Sequence, residues 1–104
     1  MNPWLIVLIA GLLETGWALG LKYSEGFTRP LPSVLTVVGA LASFWLLALA
    51  MKSLPVGTAY AVWVGIGAVG TAILAVILFG EPVNLMRAAG IALILGGIIA
   101  LKFA

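Results

Sequence analysis

No cysteine and no histidine occur among the 104 residues, and no aspartate. The first absence rules out a disulfide framework and thiolate metal sites, and the second removes the commonest metal ligand and general base. Charge of either sign is scarce. Lysine and arginine number five and acidic residues three, so charged residues make up 8% of the chain against 64% hydrophobic. A soluble globular domain carries roughly 25% charged and 45–50% apolar residues. So little polar surface cannot coat a water-facing globule, and the composition predicts an integral membrane protein. The basic residues are scattered singly, so the net charge of +2 offers no patch to follow a phosphate backbone, and nucleic-acid binding is not expected. A cleaved secretory leader is not expected either. Met1-Asn2-Pro3 lacks a basic segment, and the apolar run behind it is too long and contains an acid.

What is present is apolar sequence in bilayer-length pieces. A hydrocarbon core is crossed by about 20 residues of helix, and four such runs can be drawn: about 4–21, 31–51, 56–79 and 85–101. Lys22 and the polar link Tyr23-Ser24-Glu25-Gly26-Phe27-Thr28-Arg29-Pro30 end the first run. Lys52-Ser53, with Pro55 and Gly57, ends the second, and Gly80-Glu81-Pro82-Val83-Asn84 separates the third from the fourth. The expected fold is an all-α membrane protein, with one four-helix transmembrane domain spanning residues 1–104.

An even number of spans puts both chain ends on one side. That side collects Lys52 and Lys102, and the other Lys22, Arg29 and Arg87. The positive-inside rule counts Lys and Arg in short loops, and this division gives almost no bias. Such a chain can insert either way up, and two oppositely inserted copies form an antiparallel homodimer, an inverted repeat made from separate chains. A second copy would also bury an intramembrane acid that one subunit leaves facing lipid.

That acid is Glu14, near the middle of the first run, with no other charge within seven residues on either side. An ionisable group at that depth is costly and by default marks an ion or substrate pathway. Loss of solvation favours the protonated carboxyl, so a proton and an organic cation would compete for the same oxygens. That competition is the chemistry of antiport. Trp17, three residues on, shares the helical face and is placed to donate its indole N–H to the carboxylate. Gly11, three residues before, leaves room on the same stripe. Thr15 and Gly16 face elsewhere and suit helix packing. Ser43 is the strongly polar residue near the middle of the second run; it satisfies a helix backbone, its own or a neighbour's, or it supports the carboxylate.

In the third run Tyr60 and Trp63 share a face, and ring faces beside a carboxylate make a cation receptor. Gly65, Gly67 and Gly70 spell G-x-G-x-x-G without the strand-turn-helix context of a dinucleotide site. Inside a membrane helix they allow bending and close packing. Gly90 and Gly97, seven residues apart in the fourth run, form a small-residue stripe suited to a dimer seam. Glu25, Arg29, Glu81 and Arg87 fall in or beside turns and are expected to be solvated loop charges. No nucleophile–base pair or metal set is visible, so no enzymatic activity and no cofactor are expected.

Over essentially its whole length the chain resembles the small multidrug resistance family. The resemblance rests on Gly11-Leu12-Leu13-Glu14 with Trp17, and on Leu21-Lys22-Tyr23-Ser24-Glu25-Gly26-Phe27-Thr28-Arg29. It continues through Ser53-Leu54-Pro55-Val56-Gly57-Thr58-Ala59-Tyr60-Ala61-Val62-Trp63 and Gly65-Ile66-Gly67. Trp17 after Glu14 and the stretch Lys52 to Thr58 look like the guanidinium-exporter branch, whereas Asn2-Pro3 and Ser43-Phe44-Trp45-Leu46-Leu47 also look like the multidrug branch. Val64 stands where the family typically has Thr or Ser, and Thr15-Gly16 replaces a branched apolar pair. The resemblance implies an antiparallel homodimer in the bacterial inner membrane that exchanges protons for a cation such as guanidinium. It implies Glu14 as the shared proton and substrate site, Trp17 and Ser43 holding its carboxylate, Tyr60 and Trp63 lining the cavity, and Gly90 and Gly97 at the fourth-helix dimer motif. The alternatives are a proton-coupled exporter of hydrophobic quaternary ammonium cations and, in another class, a non-transporting membrane assembly or chaperone-like subunit.

Overall fold

The computed structural model describes residues 2–104, and every regular element among them is helical. The elements are α1 (Pro3–Tyr23), α2 (Pro30–Ala50), α3 (Val56–Phe79) and α4 (Leu85–Phe103). All four are long and apolar enough to cross a membrane.

Each helix boundary has a local cause. Asn2 caps α1 by accepting a hydrogen bond from the Trp4 amide at 2.8 Å, with Pro3 in the first turn. Arg29 is held extended by the proline that follows it, and Pro30 opens α2. Pro55, with ψ 143°, is itself the residue that caps the start of α3. Gly80 ends α3 in the left-handed conformation at φ +65°, which a residue without Cβ adopts without strain. Asn84 caps α4 by accepting from the Arg87 amide at 2.8 Å. The charged residues Lys22 and Lys102 fall in the last turns of α1 and α4, where a cation suits the helix dipole.

The Cα atoms extend 40 × 34 × 18 Å, a slab rather than a closed bundle. Helix α1 lies between α2 and α3 and packs on both; α4 runs along α3. The core gathers Val7 and Ala10 of α1, Leu47 and Ala50 of α2, and Ala59, Val62 and Trp63 of α3. These come from the first half of α1 and α3 and the second half of α2, so the tight packing sits toward the end that carries the chain start and the α2–α3 turn. The outer faces of α2 and α4 remain apolar and exposed, with Leu35, Leu41 and Trp45 on one and Met86, Leu93 and Ile99 on the other.

Lipid tails are as apolar as leucine, so helices in a bilayer associate by close packing and hydrogen bonds rather than by leaving water. Small residues provide that closeness here. A Cβ on Gly11 would lie 2.6 Å from Cγ2 of Ile66, and one on Gly65 would lie 2.8 Å from Cδ1 of Ile98. A Cβ on Gly70 would collide with the Thr15 hydroxyl, and one on Gly20 with that of Thr36. Gly11→Val is therefore expected to destabilise the α1–α3 contact by about 1–3 kcal/mol, the cost of overpacking. Thermal unfolding in detergent should show the loss.

Candidate functional site

Above the core, between α1 and α3 and reaching the α3–α4 turn, lies a cavity of about 420 Å³. Glu14, Trp17 and Ala18 line it from α1 and Val64, Gly67, Ala68, Thr71, Ala72 and Ala75 from α3, with Glu81 and Arg87 beyond. The α3 residues recur every three or four positions, so they form one stripe of a helix whose lining is small or hydroxylated. Bulk is absent where the acid needs space.

Glu14 is the twelfth residue of the 21 in α1, so it sits mid-span. Its carboxyl group lies against Gly67, where any Cβ would overlap the Oε1 oxygen. Oε1 is buried and has no hydrogen-bond partner among the described residues. The same is true of the Trp17 indole nitrogen and the Thr71 hydroxyl. All three residues border this one cavity. Buried polar atoms are nearly always paired, so unpaired ones ask for an explanation. An acceptor, a donor and a hydroxyl that is both are thus left unpaired around one space in otherwise apolar walls, the kind of lining that can take a polar guest.

The structure rearranges several roles expected from spacing. Trp17 borders the cavity with Glu14, but its N–H does not reach the carboxylate in this subunit, because the carboxyl turns across to Gly67 of α3 instead of lying along α1. Ser43 does not hold the carboxylate. It is fully buried, donates its hydroxyl proton to the Ala10 carbonyl at 2.7 Å, and accepts the Trp63 indole N–H at 2.9 Å. One serine thus joins three helices, and its single proton is committed. Gly11 faces α3, where Ile66 fills the room expected beside the acid. Trp63 is in the core, and Tyr60 is half-exposed beside it with ring centroids 5.6 Å apart. Neither borders the Glu14 cavity within one subunit.

Trp63 does connect to the site through other rings. Phe44 packs edge-on against both Trp63 and Trp17, at centroid distances of 5.9 and 6.0 Å. Phe44 and Thr71 carry no expected role from the sequence, and neither does Gly67 as the seat of the carboxyl. For Thr71 the signal was available: it lies four residues after Gly67 and seven after Val64, on one face of α3. Phe44 carries no such mark, since one more aromatic in an apolar helix looks like lipid-facing bulk.

Gly90 and Gly97 lie exposed on α4, with nothing among the described residues within 4 Å of where a Cβ would stand. Glu81 and Arg87 lie in and beside the α3–α4 turn and keep contact with water, as expected, but they are paired. Arg87 Nη2 donates to Glu81 Oε1 at 2.5 Å across the α3–α4 turn, and both border the cavity. Among the described residues no cluster of acids suitable for a metal ion occurs.

Comparison with known proteins agrees with this architecture. The family model described as Small Multidrug Resistance protein matches residues 2–94. A protein of Yersinia pseudotuberculosis named "Guanidinium exporter" is 63% identical over 101 residues, covering 97% of both chains. One of the same name from Escherichia coli strain K12 is 64% identical over 99 residues, 95% of this chain and 94% of that one. A third, from Proteus vulgaris, is 55% identical over 97% of both. Four bilayer-length helices, a family model matching most of the chain and relatives above half identity along its length lead to one assignment: this multi-pass protein of the bacterial inner membrane belongs to the small multidrug resistance family.

Proposed function

We propose that the chain is a subunit of a proton-coupled antiporter that exports guanidinium, and that Glu14 binds proton and cation in turn. The observation that carries the reading is the unpaired Glu14 carboxyl, set by Gly67 into a cavity whose other polar atoms are also unpaired. The relatives' printed name supports the choice of cation.

Guanidinium is a flat cation that presents N–H groups in a fork, and a carboxylate receives such a fork through two parallel, charge-assisted hydrogen bonds. The Thr71 oxygen is a further acceptor in the same cavity. Small α3 residues leave space for a planar guest, and apolar walls strengthen its attraction to the carboxylate by excluding water. A proton occupying the carboxyl removes the charge that holds the cation, so each displaces the other. In the proposed cycle a deprotonated Glu14 binds the cation, the protein changes the side to which the site opens, protons displace the cation, and the protonated form returns.

We further propose that the working unit is an antiparallel homodimer. The nearly even division of Lys and Arg between the two ends permits both insertions. The slab shape leaves α4 with no buried residue and with Gly90 and Gly97 open for close approach by a second copy. A second subunit would bring its own Glu14, and it would offer the exposed ring of Tyr60 a place beside the cation.

In proteoliposomes with a proton gradient, guanidinium exchange is expected for the parent and background flux for Glu14→Gln, which keeps the shape but neither charge nor exchangeable proton. A variant as fast as the parent would overturn the mechanism. Because tetramethylammonium has no N–H to place on the carboxylate, it should compete at least about tenfold more weakly, as the loss of hydrogen bonds to a charged group implies. Equal competition would favour the quaternary-ammonium alternative, and no cation movement by the parent would favour the non-transporting one.

Gly67→Ala puts a methyl group where the Glu14 oxygen lies. It should lower exchange at subsaturating guanidinium by about tenfold or more, in line with the ~1–3 kcal/mol of a forced overpacking. Gly16→Ala, with nothing among the described residues within 4 Å, serves as the control that should match the parent.

A further inference from the structure

The Glu14 cavity ends at an ion pair whose chemistry repeats that of the proposed substrate. Arg87 carries a guanidinium group, and Glu81 already accepts it through Oε1 at 2.5 Å. Glu81 follows the Gly80 cap of α3 and so lies beyond the apolar span, while Glu14 lies mid-span in α1. Twelve residues of α3 separate Gly67, against which Glu14 rests, from the helix end at Phe79, about 18 Å along the axis. One continuous space is bordered by both acids. The pair is held from the backbone on each side: the Asn84 cap fixes the Arg87 amide, and Gly80 turns the chain so that Glu81 leaves α3 toward the cavity.

The Arg87 and Glu81 side chains are 31% and 40% exposed. An ion pair in contact with water is weak and screened, because both partners keep much of their hydration. An arriving guanidinium therefore meets, at the solvent end of the cavity, a carboxylate that already binds this head group and can exchange it. We propose that Glu81 is an outer binding site for guanidinium-type cations, occupied at rest by the chain's own Arg87 and passing its guest inward to Glu14. The inference rests on the export reading and adds to it a second site and a resident competitor. Arg87 displaced from Glu81 stays at the entrance as a positive charge, which opposes entry of a second cation and return of the first. Cations without N–H donors compete poorly for a carboxylate that already accepts a charge-assisted hydrogen bond, so the pair also filters for guanidinium ahead of Glu14.

Two single substitutions separate this role from a simple clamp on the turn, because both break the same ion pair but change the outer site in opposite directions. Glu81→Gln removes the outer site and leaves Arg87 unpaired; KM for guanidinium exchange should rise about fivefold or more while the maximal rate changes by less than about twofold, the pattern of lost ground-state binding. Arg87→Gln removes the competitor, and KM should fall. Should Glu81→Gln not purify, Arg87→Gln decides alone, since unmasking the site must lower KM. Equilibrium binding of guanidinium to purified Glu14→Gln protein gives a measure independent of transport. Weak binding should remain, strengthen on adding Arg87→Gln, and vanish on adding Glu81→Gln. A shift of KM in the same direction for both single variants, or no shift, overturns the outer site, as does absence of residual binding in the Glu14→Gln background. A Glu14→Gln protein that transports like the parent overturns the role given to Glu14 instead, and absence of guanidinium movement by the parent overturns the export reading; the binding measurement decides the outer site in either case.

Discussion

An acid in the middle of a membrane span must be given space and a partner, and the rest of this small protein is arranged around that requirement. Space comes from Gly67: the Glu14 carboxyl occupies the volume that any side chain on that residue would take. Above and below it along the same stripe of α3 come Val64, Ala68, Thr71, Ala72 and Ala75, none larger than valine. The helix thus offers a trough of low relief exactly opposite one charged group of α1. A bulkier stripe would force the acid toward lipid, where no group could compensate its charge.

Keeping a trough open between two helices requires that they be fixed elsewhere. The core of Val7, Ala10, Leu47, Ala50, Ala59, Val62 and Trp63 does this at one end. At the level of the cavity the Thr15 hydroxyl contributes, bonded to the Gly67 carbonyl at 3.3 Å and to its own Gly11 carbonyl at 3.4 Å. Gly70 makes room for it. The three clustered glycines of α3 therefore have separate tasks, with Gly65 receiving Ile98 of α4, Gly67 receiving Glu14 and Gly70 receiving Thr15. Bending, the use suggested by their clustering, is not needed to account for them.

The fold class was legible because bilayer thickness acts on length and composition alone: few charges and four apolar runs leave one kind of answer. Glu14 was legible as the residue of interest for the same reason, since cost marks an isolated acid without knowledge of its neighbours. Partnerships were harder. Ser43 and Trp17 have the right chemistry to touch a carboxylate, but spacing along one helix does not say which neighbour comes closer. Ser43 found a backbone carbonyl on α1 and an indole on α3, and the carboxyl turned to Gly67, a position of α3 without a side chain. The pairing of Glu81 with Arg87 was hidden by the turn between them, whose course depends on the left-handed conformation of Gly80.

The junction at Ser43 has a bearing on motion. Helices α2 and α3 otherwise touch little, yet this hydroxyl ties both to the backbone of α1 through two hydrogen bonds of 2.7 and 2.9 Å. Rolling or sliding any one of the three past the others would strand an indole N–H and a carbonyl in a medium that offers no replacement. The two hydrogen bonds therefore oppose relative movement of the trio and favour its travelling as a block. The seams left freer to shift when the pocket reorients are those between α4 and this block, and between neighbouring copies.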